Sequence, residues 1–270
     1  MKDIAIVYMV AGISSRFGGK IKQFAKVGQN EETLIEISLK QALSAGFNKI
    51  IFITGEKTEK PFKEKFGNEF QGVPVHYAYQ TFDQKERDRP WGTCDAVSSA
   101  QEMIGCPFVV CNGDDLYGKE VFKKLYDHLK NHDEEATVGY ELDAVLPETG
   151  TVNRGIIEAN EENYVKAVKE FFNISRDDLQ GQTLAAPCSM NIFALQPKTL
   201  SLLSEKLKQF KQLYKGDRKK ECLIQDMLTE LINEKKIKMK LWPISEPWIG
   251  VTNPGDEEKV KAFLKSLSHP

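Results

Sequence analysis

No two of the five cysteines, at positions 94, 106, 111, 188 and 222, stand at CxxC spacing, and their number is odd. That pattern excludes a disulfide framework and a zinc site built on paired cysteines. The thiols read instead as small buried hydrophobes in a reducing compartment. Histidine is equally sparse. His128 and His132 are four residues apart, but the glutamate of an HExxH zinc motif is missing between them. No apolar run is long enough to span a membrane. The run at residues 4–11 is short and lacks the basic flank and small-residue cleavage site of a signal peptide, so a cytoplasmic protein with no membrane partner is expected. Basic excess is absent too: 37 Lys and Arg face 39 Asp and Glu, a net charge of −2, which argues against a nucleic-acid polymer as partner. There is no internal repeat, no low-complexity tract and no linker-like stretch. The 270 residues, 41% hydrophobic, suffice for a single domain with one large core.

What is present is an alternation of strand and helix signals. Apolar runs at 4–10, 49–54 (KIIFIT) and 107–111 (PFVVC) have the composition of strands buried on both faces, which belong to a parallel sheet covered by helices. Helical periodicity occupies 31–46, with Gly46 as C-cap, and recurs at 93–104, 118–131, 197–214, 219–234 and 255–267. Further strands are expected at 74–79, 136–141, 154–159, 186–195 and 237–242. The fold class is therefore α/β: a Rossmann-like, doubly wound arrangement whose central sheet is mostly parallel but mixed in its second half, flanked by helices.

In such sheets ligands bind beyond the carboxyl ends of the strands. Two loops lie there. The first, AGISSRFGGKIKQ at 11–23, combines glycines with Arg16, Lys20 and Lys22. Glycine lets backbone amides approach an anion, and the cations add charge, so the loop suits a polyphosphate. It is not a Walker A loop, because Lys20 is followed by Ile21, and it holds no GxGxxG. The second, NGDDLYG at 112–118, places Asp114 and Asp115 after a strand. They either cap the following helix through an Asx turn or hold Mg²⁺, a hard cation that prefers oxygen ligands and phosphate partners. A basic cradle and an acidic turn at one sheet edge suit a nucleoside triphosphate (NTP) with its metal.

In this order the motifs resemble those of the sugar-1-phosphate nucleotidyltransferases, the nucleotide-sugar pyrophosphorylases. They are AGISSRFGG…KQ, YQ (79–80) with PWGTCDAV (90–97), NGDDLYG, NRGII (153–157) with KE (169–170), SMNIFAL (189–195) and WIGVTNPGD (248–256). The likeness spans nearly the whole chain. It implies an in-line attack of a sugar-1-phosphate oxygen on the α-phosphorus of an NTP, releasing pyrophosphate. It further implies a nucleotide-binding half at about 1–118 and a sugar-binding half at about 119–255. Small-molecule partners, NTP and sugar-1-phosphate, and Mg²⁺ as cofactor follow from it; a homo-oligomer is compatible with it.

By the same resemblance, Ala11, Gly12, Ile13, Ser14 and Ser15 hold the nucleotide, and Arg16 draws on its β- and γ-phosphates. Lys22 neutralises charge building on the α-phosphate, with Lys20 the second choice because both precede Gln23. Gln80 and the backbone of Gly92 and Thr93 read the base. Asp114 holds the metal, and Gly155, Glu170 and Asn191 hold sugar hydroxyls. The chain departs from the pattern at Gly250, where many relatives carry a second metal-binding aspartate; Thr252 or Asn253 in the GVTN turn is the replacement expected. It departs again at Phe171, where many carry a basic residue. Three other activities remain open: a cytidylyltransferase acting on phosphocholine, a glycosyltransferase using a finished nucleotide-sugar, and a non-catalytic nucleotide-binding regulator.

Overall fold

The computed structural model describes residues 3–12, 21–147, 150–177, 185–251 and 255–267. In chain order the strands are β1 (Ala5–Met9), β2 (Lys49–Thr54), β3 (Glu69–Phe70), β4 (Val73–Tyr79), β5 (Phe108–Asn112), β6 (Asp115–Leu116), β7 (Glu135–Glu141), β8 (Val152–Ala159), β9 (Val165–Ile174), β10 (Pro187–Ser189), β11 (Phe193–Leu195), β12 (Met239–Ile244) and β13 (Ile249–Gly250). The α-helices are α1 (Leu34–Ala45), α2 (Glu59–Phe66), α3 (Thr93–Ser99), α4 (Lys119–Asn131), α5 (Leu142–Val145), α6 (Pro197–Leu213), α7 (Ile224–Asn233) and α8 (Asp256–Leu267), and a 3₁₀ turn covers Lys22–Phe24.

Among the described residues eleven strands join in one sheet, in the order β3-β4-β2-β1-β5-β11-β7-β10-β8-β9 with β12 beside β7. β4, β2, β1 and β5 run parallel, whereas β11 is antiparallel to both β5 and β7, and β8 and β9 form an antiparallel pair. Alternation in β1 shows why its whole run is apolar. Ile6 and Tyr8 pack on one face with Leu39 of α1, Phe62 of α2 and Phe122 of α4. Ala5 and Val7 pack on the other with Val97 of α3, Leu203 of α6 and Leu228 of α7. A strand sandwiched between two helical layers has no polar face, so its sequence lacks the period of two. Among the described residues no helix is long and apolar enough to cross a membrane.

Four differences from the sequence expectations have physical causes. The run at 186–195 is not one strand: Asn191 adopts φ 56°, in the left-handed region, and splits it into β10 and β11. The two halves lie along the same side of β7, but β11 also pairs with β5 and β10 with β8. The sheet therefore forks at Met190–Ile192. The ten-residue β9 was not expected, because charged residues interrupt its apolar positions, as suits a strand at the sheet's end. α7 begins at Ile224 rather than 219, since 214–222 is bound to the segment before α3. Asp88 N–H donates to Arg218 O (3.0 Å) and Cys222 N–H to Trp91 O (2.7 Å). α3 stops at Ser99, where Gln101–Met103 turn out toward solvent. α1 ends at Gly46 as expected, with φ 118°.

The helix after NGDDLYG is capped, but not by its aspartates. The Glu246 carboxylate accepts from the Lys119 (2.9 Å), Glu120 (2.8 Å) and Val121 (3.3 Å) amides, satisfying the first turn of α4 from 127 residues away for the first of them. Negative charge at a helix N-terminus is favoured as well. Glu246→Ala is expected to lower stability by about 1 kcal/mol, the usual value of an N-cap, as a shift in urea midpoint at unchanged slope.

Candidate active site

The carboxyl ends of β1, β2 and β4 open onto a cleft of about 930 Å³, lined among others by Ala11, Gly12, Gly55, Tyr79, Gln80 and Arg87. A second, smaller cleft of about 190 Å³ lies at the fork of the sheet. It draws Lys22 from the first loop, Asn112, Asp114 and Asp115 from the end of β5, Asn153–Gly155 from β8, Glu170 from β9 and Ser189–Asn191 from the break between β10 and β11. Lys22, Asp114, Gly155, Glu170 and Asn191, separated by up to 169 positions in the chain, thus share one cavity wall. The fork is the reason: a continuous 186–195 strand would fill the space that Asn191 opens.

At its centre the Lys22 ammonium is ion-paired with Asp114 Oδ2, both side chains being mostly buried. The neighbouring Asp115 is 6% exposed; its Oδ2 accepts from Asn112 Nδ2 (2.9 Å) and from the Tyr117 hydroxyl (3.2 Å). Burial, and then the adjacent Asp114 carboxylate, push its pKa up to about 7. A dication beside it would favour the carboxylate. Gly250 is its cross-strand partner in the β6–β13 pair. A Cβ at 250 would overlap Asp115 Oδ1 and crowd the Trp248 ring. A side chain at 250 would therefore have to push aside the Asp115 carboxylate or the Trp248 ring, and a carboxylate stands at this spot on the facing strand instead of at position 250.

Glu170 Oε2 accepts from Gln225 Nε2 (2.8 Å), and burial followed by the Asp226 carboxylate raises the Glu170 pKa. Gly155 faces Glu170 across the β8–β9 pair, and a Cβ there would touch both Val168 and the Glu170 carboxylate. Asn191 N–H donates to Ser189 Oγ (3.3 Å), so its backbone is tied while its side chain lines the cleft. Arg154 donates to Val145 O from Nε (3.2 Å) and Nη2 (2.7 Å) and lies over the Trp248 ring at 5.4 Å. Asn153, Arg154, Ser189 and Trp248 belong to the motifs NRGII, SMNIFAL and WIGVTNPGD but were given no role from them; Gln225 belongs to none, and only its place in the fold marks it.

In the larger cleft Gln80 is 8% exposed and donates from Nε2 to Gly92 O (3.1 Å) and Asp95 Oδ2 (2.8 Å). Gly92 and Thr93 sit just outside the lining. The Thr93 hydroxyl oxygen accepts from Ile224 N–H (2.9 Å), which ties α3 to the start of α7. Ile13, Ser14, Ser15, Arg16, Lys20, Thr252 and Asn253 lie outside the described residues. Among the described residues no group of three or more His, Cys, Asp or Glu side chains is placed to hold a metal by itself. Asp114 and Asp115 nevertheless give a purely oxygen donor set, and Asp114 is already paired with the Lys22 ammonium. Two carboxylates suit a hard dication that completes its shell with water and phosphate.

Known proteins share this architecture. A Bacillus anthracis protein assigned as a glucose-1-phosphate thymidylyltransferase, solved with sucrose, superposes with TM-score 0.70 at 14% identity, over 97% of this chain and 95% of that one. UTP-bound UGPase from Acinetobacter baumannii gives 0.66 at 15% identity, over 100% and 95%. A UDP-glucose pyrophosphorylase complexed with UDP-glucose gives 0.65 at 18% identity, over 98% and 100%. Compared by sequence with curated proteins, the chain has no match. A family model described as nucleotidyl transferase matches residues 18–251, well over half the sequence. The chain belongs to the nucleotidyl transferase family.

Proposed function

We propose that the protein transfers a nucleotidyl group from an NTP to a sugar-1-phosphate, releasing pyrophosphate and forming a nucleotide-sugar. The observation that carries this reading is the meeting of Lys22 and Asp114 with Gly155, Glu170 and Asn191 in one cleft at the sheet fork. The cation suits a phosphate and its carboxylate partner a metal, while a half-buried carboxylate, an amide and a glycine suit hydroxyls beside them. The larger cleft has room for a nucleoside. Structures of the same architecture are described as UTP-bound and as complexed with UDP-glucose, in line with this choice of substrates.

No covalent intermediate is required, so the chain's work is positioning and charge stabilisation. Gln80 would orient the base and the backbone after β1 the ribose and phosphates, with Arg16 on the β- and γ-phosphates. Glu170 and Asn191 would hold the sugar so that its phosphate faces the α-phosphorus. Lys22 would exchange Asp114 for the α-phosphate as negative charge gathers there. Asp114 would hold Mg²⁺, with the Asp115 carboxylate beside it. When bound, the ion supplies Lewis-acid neutralisation of the phosphate oxygens. On this assignment residues up to about 118 form the nucleotide half and 119–255 the acceptor half of one domain. A cytoplasmic location accords with the free thiols among the described residues, four of them buried and Cys106 partly so.

A matrix of four NTPs against glucose-1-phosphate, other hexose-1-phosphates and phosphocholine, read by pyrophosphate release, tests the proposal. Release is expected with one base and a sugar-1-phosphate. Release confined to phosphocholine, or none with any pair, would overturn it.

A further inference from the structure

The Gln80 amide does not choose its own orientation. Its Nε2 donates to two acceptors that cannot change role, the Gly92 carbonyl at 3.1 Å and the Asp95 carboxylate at 2.8 Å. A flipped amide would set its carbonyl against a carbonyl and a carboxylate. Asp95 is in turn fixed from behind. It is 7% exposed, lies in the first turn of α3, and its Oδ1 accepts from Lys211 Nζ at 2.5 Å. Lys211 comes from the last turn of α6 and lies 5.9 Å from the Trp91 ring, on whose face the Arg87 guanidinium stacks at 3.4 Å. Arg87, itself buried, donates to Asp217 O and Lys220 O, both at 2.6 Å. The segment carrying Trp91 and Gly92 is thereby clamped, and the carbonyl that Gln80 contacts is held in place.

We propose that Asp95, braced by Lys211, is a specificity-determining positioning residue: it fixes the Gln80 amide so that only the acceptor Oε1 is offered to the nucleotide base. The inference rests on Gln80 contacting the base, as in the function proposed above. An acceptor rewards a base edge that presents an N–H and leaves a lone pair unpaired against one that does not. A buried polar group left unpaired is the strongest source of rejection available to a binding site. The carboxylate matters because it can only accept. An amide in its place can donate as well: with its oxygen kept by Lys211 it turns its Nδ2 toward Gln80, and only the Gly92 carbonyl still opposes the flipped orientation.

The test compares kcat/KM for the four NTPs in wild type, Gln80→Ala, Asp95→Asn and the double variant, with circular dichroism and Tm confirming the fold of each. Asp95→Asn is expected to shrink the ratio between the best and second-best NTP by about tenfold or more while turnover with the best changes little. In the Gln80→Ala background the same substitution is expected to change the ratio no further, because it acts through Gln80. A ratio kept in Asp95→Asn but lost in Gln80→Ala overturns the role of Asp95 alone. A ratio kept in Gln80→Ala overturns the base contact itself, and the proposal with it. The wild-type protein gives an arm free of folding effects. The best NTP with each edge N–H replaced by N-methyl is expected to lose at least about tenfold in kcat/KM, and equal use of it contradicts an acceptor-only site.

Discussion

Lys22→Ala is expected to turn over about 10²–10³-fold more slowly than wild type, the usual loss when a charge partner of the transition state is removed, while its KM for NTP changes little. The structure adds a second expectation. In the free protein the ammonium of Lys22 rests on Asp114. It occupies the charge that a metal would use, so Mg²⁺ must displace it. Wild type is therefore expected to bind Mg²⁺ weakly without nucleotide and tightly with it, since the triphosphate offers Lys22 a new partner and the ion more oxygen ligands. In Lys22→Ala this competition is gone, and calorimetry should show tighter Mg²⁺ binding to the free protein despite the slower turnover. If Lys20→Ala carries the whole loss and Lys22→Ala is mild, the loop has been assigned two residues out of place.

Asp114→Ala is expected to remove most activity and the coupling between Mg²⁺ and NTP binding. Its side chain is the carboxylate of the fork that faces Lys22, and its own backbone carbonyl accepts from Val251 N–H (3.1 Å), a bond the substitution leaves intact. The loss should thus be chemical rather than structural, with Tm little changed. Asp115→Asn preserves an acceptor for Asn112 and is expected to lose less turnover than Asp114→Ala. Near-full activity in Asp114→Ala, or calorimetry showing unchanged coupling there, would contradict the metal assignment.

Legibility in the sequence followed burial. β1, β2 and β5 announce themselves because both faces are covered and their inner positions are apolar throughout. β9 hides because Lys169, Glu170 and the exposed Phe171 and Phe172 break its pattern at the sheet's end. The 186–195 run was read as one strand because Asn191 is a single residue in an apolar context. The consequence of its left-handed conformation, a fork and a cleft, exists only once β5 and β8 are in place. The site divides in the same way. Lys22, Asp114 and Gln80 belong to short motifs at strand ends and could be named from them. Asp95, Gln225 and Glu246 act on partners 15, 55 and more than 100 positions away. One sequence carries no sign of such pairings. The Asx-turn alternative for Asp114 and Asp115 gave way for that reason, since the cap of α4 arrives from Glu246.

The most direct measurement is phosphorus NMR of the reaction of the best NTP with its sugar-1-phosphate and Mg²⁺. The account predicts equal amounts of inorganic pyrophosphate and of a product with two coupled phosphorus signals, the mark of a nucleotide joined to a sugar phosphate. Nucleoside monophosphate with pyrophosphate and unchanged sugar phosphate would show hydrolysis instead of transfer, and would contradict it.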